Sequence, residues 1–153
     1  MLQSTLPCDF ALPAEWEPQS AIMLTWPHAG TDWKPYLPEI TDTYLELADI
    51  ITRYEQLLVA TPDVPATRYQ LKKKLSAEQM SRVLLYEVES NDTWVRDHGP
   101  LTMVLRRKQN TWMVPYRILD FKFNGWGEKF RWEKDNACLL YTSPSPRDPK
   151  TSR

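Results

Sequence analysis

The sequence predicts an α/β protein with a sheet of mixed strand direction. Short apolar runs of strand length alternate with segments of helical periodicity over residues 21–88, a pattern typical of strands joined by crossover helices. Two later apolar runs, at 101–105 and 111–119, flank a polar turn around 107–110 and predict a hairpin. Crossovers followed by a hairpin favour one mixed sheet over a purely parallel sheet.

The first two predicted elements are bounded by prolines. Residues 21–26 form an apolar run between Pro18 and Pro27, as expected for a buried strand. Pro38 suits the first turn of a helix. A helix over residues 38–54 follows, because apolar side chains recur there at three- and four-residue steps, at Ile40, Tyr44, Leu47, Ile51 and Tyr54.

Three more elements follow in order. Residues 56–60 predict a second strand, ended by Thr61-Pro62-Asp63. Residues 65–75 predict a helix with a basic outer face, on which three consecutive lysines at 72–74 are solvated. Residues 83–88 predict a third strand. Seven Trp are present, and most of them are expected in the core.

Composition and charge narrow the class of protein. With 42% hydrophobic and 25% charged residues the chain is of ordinary globular type. A net charge of −1 gives no long-range attraction to nucleic acid or anionic lipid. Its apolar runs fall well short of the roughly 20 residues that span a bilayer. Residues 1–11 are expected to be a loose segment without a secretory signal, and two cysteines make no disulfide framework, so a cytoplasmic setting is expected.

Residues 138–153 differ in character from the rest of the chain. Their Ser/Pro pattern is compatible with a flexible linker, but the segment resembles a translated sequencing-library adapter and is interpreted as an artefact. Without it, the chain loses a net charge of +2 and falls from −1 to −3. On this interpretation residues 12–137 are the amino-terminal part of a longer, truncated domain.

The loop after the third strand concentrates groups that can bind a cation. Asp92, Trp94, Arg96 and Asp97 lie within six residues, before a Gly-Pro turn. A carboxylate meets a guanidinium through two parallel hydrogen bonds, and an indole face attracts the same cation. The local pattern alone favours a plainer interpretation, in which Trp94 is a core residue and Arg96 pairs with Asp97.

Three sequence blocks shift that balance. TWVRDHGP at 93–100 resembles the W-x-R-D-x-G-P signature of agmatine deiminases and bacterial peptidylarginine deiminases. PAEWEPQS at 13–20, with the Trp-Pro that follows the first strand, and DFKFNGWG at 120–127 are similar to two further blocks of that family. The blocks stand in the family's order, and the resemblance extends over residues 12–136.

The resemblance implies a fold and an activity. The fold is a partial pentein, an α/β propeller built of ββαβ-type modules around a central site. The activity is hydrolysis of a guanidine to a ureido group with release of ammonia, and it uses no metal and no cofactor. In the family the residue matching Asp97 grips the guanidinium and that matching Trp94 lies against the substrate. The family's cysteine nucleophile, its histidine and its second aspartate have no counterpart among these residues.

Other residues are weaker candidates for the site. Asp92 is expected to bind substrate with Trp94 and Asp97, while Asn124 and Trp126 either line the pocket or form a packed turn beside the core. Gly125 and Gly127 predict a tight turn that needs positive φ. His98 is expected to be a supporting loop residue. His28 is expected to be a surface residue, with a position near the mouth of the substrate site as the alternative. Two histidines without a nearby cysteine pair do not favour zinc.

The predicted activity is conversion of agmatine to N-carbamoylputrescine, with the small guanidine as the partner of the site. One alternative keeps the chemistry and changes the substrate to peptidyl-arginine. A second alternative, from another class, is a non-catalytic Trp-rich binding module; stacking on nucleic acid would need a basic groove, which the charge disfavours. No nucleic acid or membrane partner is expected, and homo-oligomerisation of the full-length parent is left open.

Overall fold

A computed structural model describes residues 10–105 and 116–137. The described residues separate into two compact units. The larger one runs from Gln19 to Gly99 and resumes at Lys122, and it carries every candidate site residue. The smaller one contains residues 10–18 and the described parts of the range from Pro100 to Phe121.

The larger unit is built on a three-stranded parallel sheet in the order β2-β3-β4. Strand β2 spans Ala21–Thr25, β3 spans Gln56–Thr61 and β4 spans Val83–Glu87. Helix α1, Leu37–Thr52, connects β2 to β3, and helix α2, Val64–Lys74, with the short helix α3, Ala77–Met80, connects β3 to β4. All three strands and both long helices agree with the sequence predictions to within two residues.

Strand β3 is the centre of this unit. It pairs on both sides, with Leu24 opposite Val59 in one ladder and Val59 opposite Leu85 in the other. Leu57 and Val59 have no exposed surface, because helices cover one face of the sheet. The main core lies on that face and comprises Trp26, Ala48, Leu57, Val59, Leu71, Leu75 and Val83.

The buried face of α1 differs from the predicted one. Tyr44 and Ile51 pack on the core as expected, but Leu47 is 39% and Tyr54 81% exposed. The fully buried positions of the helix are Ala48 and Thr52. Small residues allow the helix to approach the sheet closely there, so the face is centred between the large side chains that the periodicity selected.

Side-chain caps begin the two connecting helices after β3. The Asp63 carboxylate accepts a hydrogen bond from the Ala66 N–H at 2.9 Å and caps α2. Ser76 and Gln79 form a reciprocal capping box at α3, an element that the sequence analysis did not predict. The three lysines at 72–74 are exposed, as predicted.

The smaller unit contains an antiparallel sheet in the order β1-β5-β6. Strand β1 is Phe10–Ala11, β5 is Leu101–Leu105 and β6 is Tyr116–Leu119. Pairing of β5 with β6 confirms the hairpin. The prediction of one mixed sheet was wrong. The parallel and the antiparallel strand pairs lie in two separate sheets, and β5 pairs with β1 and β6 instead of joining the parallel sheet. Phe10–Ala11 therefore form a strand inside the segment predicted to be loose.

Several predictions fall outside the described residues. The polar turn at 107–110, the start of the last predicted strand at 111–115, residues 1–9 and the tail at 138–153 are among them. Within the described ranges, no helix has the length and apolarity needed to cross a membrane. Of the six described Trp only Trp26 is buried, so the expectation that most are core residues was wrong.

Candidate functional site

Three of the candidate residues, Asp92, Trp94 and Asp97, follow the carboxyl end of the parallel strand β4. Strand β2 ends at Thr25, β3 at Thr61 and β4 at Glu87, and parallel strands place these ends at one edge of a sheet. In open α/β sheets, ligands bind in the crevice outside this edge. The loops after β2 and β4, at 26–33 and 88–94, both leave from it.

Trp94 and Asp97 share one helical turn at this edge. Helix α4 spans Val95–His98, with Trp94 at its N-cap, and the Asp97 N–H donates to the Trp94 carbonyl at 2.9 Å. The Trp94 side chain is 57% exposed and Asp97 is half-buried. In the described part of the chain the Asp97 carboxylate forms no ion pair with Arg96 or any other cation. The plainer interpretation, a core Trp beside a salt bridge, is therefore wrong.

His98 fastens this turn to the sheet. Its ring is 3% exposed, and Nε2 lies 3.2 Å from the Thr25 hydroxyl at the end of β2. Burial lowers the pKa of His98, while the carboxylates of Asp135, Asp97 and Asp92 oppose that shift. The buried imidazole anchors the turn through its hydrogen bond to Thr25, in keeping with the supporting role predicted for it.

Asp92 lies half-buried just before Trp94. Its Oδ1 accepts a hydrogen bond from the Thr93 N–H at 2.7 Å. Burial raises the pKa of Asp92, that hydrogen bond opposes the shift, and the carboxylates of Asp135 and Asp32 raise the pKa further. A cation bound next to Asp92 would offset the energetic cost of burying its charge and would reduce the repulsion between the carboxylates.

The loop after β2 holds the Asp92 loop from one side. His28 Nδ1 accepts the Gly30 N–H at 3.1 Å, so in the neutral ring Nε2 carries the proton and donates to Ser90 Oγ, also at 3.1 Å. Trp33 Nε1 donates to Thr93 Oγ1 at 2.9 Å. Burial lowers the pKa of His28, although Glu89 opposes the shift. His28 is thus a half-buried connector, and the prediction of a surface residue was wrong.

The segment 132–136 holds the same loop through a reciprocal set of hydrogen bonds, which we call the 91/135 clasp. Asp135 Oδ1 accepts the N–H groups of Asn91 and Asp92, at 2.7 and 3.2 Å. In return, Asn91 Oδ1 accepts the Lys134 N–H at 2.8 Å. Lys134 also pairs with Glu89 at 2.8 Å. Two stretches more than forty residues apart are joined in this way.

The clasp leads on to the third sequence block. Asn136 Oδ1 accepts the Phe123 N–H at 2.8 Å, and Asn136 Nδ2 donates to the Phe123 carbonyl at 2.7 Å. One side chain thus satisfies both backbone groups of Phe123, as a paired strand would. The residues after Phe123 are therefore tied to the segment that holds the Asp92 loop.

Asn124 and Trp126 lie on a turn of unusual backbone. Gly125, Trp126, Gly127 and Glu128 all have positive φ, from 58° to 80°, which confirms the tight turn expected from the two glycines. Asn124 Oδ1 accepts the Gly127 N–H at 3.1 Å and so serves the turn itself. Trp126 is 63% exposed, with its ring edge-to-face against Phe123.

The structure thus brings some of the predicted residues together and leaves others apart. Asp92, Trp94 and Asp97 belong to one supported loop. Asn124 and Trp126 are connected to that loop by hydrogen bonds through the clasp, and in the described part of the chain no hydrogen bond or ring contact joins either of them to Trp94 or Asp97. Their role in a pocket remains a prediction.

The arrangement suits a flat organic cation. It offers an exposed indole and carboxylates that lack cationic partners in the described residues, with a rigid framework of buried polar groups behind them. Within residues 10–105 and 116–137 no group of three or more His, Cys, Asp and Glu side chains has the geometry of a metal site. Both cysteines of the chain lie outside those ranges.

Sequence reasoning missed the residues that support the loop. Asp135, Ser90 and Thr93 are all buried polar side chains, and they hold the loop through hydrogen bonds over 43 to 62 residues of sequence. Local periodicity carries no signal for such pairs. The one available hint was an Asp-Asn pair at 135–136 close after a glycine-flanked Trp.

Comparison with known proteins assigns the class and then the family. The fold matches part of agmatine deiminase structures: the C. jejuni enzyme with substrate bound superposes with a TM-score of 0.70 at 32% identity, over 84% of this chain and 34% of that one. The profile of the Porphyromonas-type peptidyl-arginine deiminase family matches residues 11–142. The chain belongs to this family.

Curated relatives agree with the assignment. The agmatine deiminase of Pseudomonas syringae pv. syringae is 32% identical over 127 residues, which are 82% of this chain and 32% of the relative. The agmatine deiminase of Medicago truncatula is 31% identical over 122 residues, 77% of this chain and 30% of the relative. The chain thus spans about 30% of the length of the curated relatives that it matches.

Proposed function

We propose that this chain supplies the guanidinium-gripping part of a hydrolase that deiminates agmatine. The observation that carries the proposal is the pairing of an exposed Trp94 with an Asp97 carboxylate that has no cation partner in the described residues, on one turn at the carboxyl edge of the sheet. The family assignment and the substrate-bound relative support it.

Each residue has a role that follows from its chemistry. The Asp97 carboxylate accepts two parallel N–H bonds from the guanidinium fork, and the Trp94 face covers the planar cation. The nearby Asp92 carboxylate adds to the negative potential of the loop. Together these groups fix the guanidinium carbon in one orientation, and fixed orientation is a large part of the rate gain of such a reaction.

The chemical step needs a thiolate from the rest of the protein. The thiolate adds to the guanidinium carbon, the C–N bond breaks, and ammonia leaves with a proton from a histidine. Water then attacks the thiouronium carbon, the C–S bond breaks, and the ureido product and the thiolate are released. Because the chain spans about 30% of its relatives, we propose that the cysteine, the histidine and a second aspartate come from the remaining part of the domain. The 153 residues alone are then inactive.

A pentein module is the structural counterpart of this proposal. The strand–helix–strand arrangement of the larger unit would form one blade, and the edge that carries Asp92 and Asp97 would face the centre of the ring. The open edges and apolar faces of an incomplete ring would then be exposed, so poor solubility is expected for the chain alone.

Binding of agmatine to the 153-residue chain tests the proposal. Titration calorimetry or NMR titration should give saturable binding that Asp97→Asn weakens about 10- to 150-fold, since a hydrogen bond to a charged group contributes roughly 1.5–3 kcal/mol. Trp94→Ala should weaken binding about 2- to 30-fold, from a cation–π contribution of about 0.5–2 kcal/mol. Asp42→Asn, an exposed position on α1 with the same change of charge, should leave binding unchanged.

The choice of ligands separates the alternatives. Tighter binding of an arginine peptide than of agmatine would favour the peptidyl-arginine deiminase alternative, and binding of oligosaccharides or single-stranded nucleic acid without agmatine would favour the Trp-rich module. Equal affinity of the Asp97→Asn variant and the unmodified chain for agmatine would remove Asp97 from the site. Ammonia release by the chain alone would contradict its predicted inactivity.

A further inference from the structure

Asp135 is a buried carboxylate whose hydrogen bonds are aimed at the candidate binding loop. Asp135 is 1% exposed. In the described part of the chain its carboxylate forms no ion pair with a lysine or arginine. Its Oδ1 accepts two consecutive backbone N–H groups, those of Asn91 and Asp92. A buried charge is costly unless it is hydrogen-bonded, so these two donors account for its stability there.

The two hydrogen bonds fix the backbone where the binding loop begins. They orient the consecutive N–H groups of Asn91 and Asp92, while the Asn91 side chain accepts the Lys134 N–H from the opposite direction. The chain then passes through Thr93, which is held by Trp33, to Trp94. A shift of the peptide groups at 91–92 would therefore move both the Asp92 carboxylate and the indole.

We propose that Asp135 is the positioning residue of the guanidinium site: its carboxylate fixes the 91–92 backbone so that Asp92, Trp94 and Asp97 present one preorganised surface to an alkylguanidine. This inference rests on the proposed function. It adds a residue that does not touch the substrate and acts through the loop that does. Preorganisation of this kind increases affinity by removing the ordering cost at the moment of binding.

The charge of Asp135 also affects the pKa of Asp92. Asp32, Asp135, His98 and Tyr44 are the titratable groups that interact electrostatically with Asp92; the two carboxylates raise the pKa of Asp92, whereas His98 lowers it. Neutralising Asp135 should lower the pKa of Asp92. The pH below which agmatine binding fails should then move downward, a change that loss of stability alone would not produce.

Hydrogen exchange on the 153-residue chain tests the clasp without any ligand. The amides of Asn91 and Asp92 should be protected in the unmodified chain and should exchange at least 10-fold faster in Asp135→Ala. Asp63→Ala is the matched control, because it removes another carboxylate that accepts a backbone N–H, at the cap of α2. In that variant the two amides should keep their protection; unprotected amides in the unmodified chain would overturn the inference.

Agmatine titrations of the same variants test the consequence for the site. Asp135→Ala should weaken binding at least 10-fold and Asp63→Ala less than 2-fold. Asp135→Asn retains an acceptor oxygen, so its affinity at neutral pH should lie within about 3-fold of the unmodified chain, with the acidic limb of the binding profile moved to lower pH. Unchanged affinity in Asp135→Ala, or an unmoved acidic limb in Asp135→Asn, would overturn the proposal.

The two readouts separate this inference from the proposed function. Protected amides that Asp135→Ala releases, in a chain that does not bind agmatine at all, would retain the clasp and reject the guanidinium site. Agmatine binding that is sensitive to Asp97→Asn and indifferent to Asp135→Ala would retain the site and reject the positioning role. If Asp135→Ala does not fold, the pH profile of Asp135→Asn decides.

Discussion

Replacement of Glu128 by glycine should stabilise the protein, although the exchange of an ordinary residue for glycine usually does the opposite. Glu128 has a φ of 62° in the turn after Asn124 and is exposed. In the left-handed region a Cβ crowds the following carbonyl, at a cost of roughly 1–2 kcal/mol for each L-residue. Glycine lacks that Cβ, so the substitution removes the cost.

The expected gain is smaller than the strain. Glycine adds freedom to the unfolded chain and thereby costs about 0.4–1 kcal/mol. The free energy of unfolding should consequently rise by about 0.5–1 kcal/mol. In urea, where small proteins lose about 1–3 kcal/mol of stability per molar denaturant, the midpoint should move upward by about 0.2–1 M.

Urea denaturation followed by tryptophan fluorescence measures the shift. Glu39→Gly is the matched control, because Glu39 lies in the first turn of the right-handed helix α1 and is also exposed. The same substitution there should lower stability by roughly 0.5–1 kcal/mol. Two changes of the same sign would refute the reasoning, since the decisive difference between the two exposed sites is the handedness of the backbone.

Two further predictions concern the core and the histidines. Leu57→Ala should lower the free energy of unfolding by about 3–5 kcal/mol, because the side chain is fully buried in the central strand; a loss below 1 kcal/mol in urea titrations would place Leu57 outside the core. The folded pKa values of His28 and His98 are both lowered by burial, so the unfolded state binds more protons and stability should fall as the pH drops below about 6.5. Denaturation midpoints at pH 7.5 and 5.5 measure this, and replacing both histidines by glutamine should flatten the dependence; an unaltered slope would contradict the assignment.

The secondary structure of the larger unit could be predicted from local patterns. Strands β2, β3 and β4 are apolar runs bounded by turn residues, and α1 and α2 have proline in their first turns and helical spacing. These signals are encoded within about a dozen residues. The buried face of α1 was not predicted correctly. Where the helix lies closest to the sheet its buried residues are small, Ala48 and Thr52, whereas the hydrophobic pattern in the sequence is defined by the large apolar residues.

The sheet topology and the residues that support the loop could not be predicted from local sequence patterns. Whether β5 and β6 join the parallel sheet or pair with β1 depends on Phe10 meeting Leu105, a contact across 95 residues that no periodicity encodes. Trp94 and Asp97 were selected from the sequence because the block at 93–100 resembles the W-x-R-D-x-G-P signature, whereas the local pattern alone favoured a core Trp beside a salt bridge. Asp135 was not, because a carboxylate that accepts backbone N–H groups looks the same in sequence as a solvated one.

The 91/135 clasp also sets an order of events during synthesis. The parallel sheet and helices α1 to α4 of the larger unit are complete once residue 99 has been made, but the acceptor for the Asn91 and Asp92 amides appears only at Asp135. At a translation rate of about 5–20 residues per second, the loop waits about 2–7 seconds for its partner. During that interval a nascent chain has its parallel sheet, but the Asn91 and Asp92 amides still lack the carboxylate that accepts their hydrogen bonds.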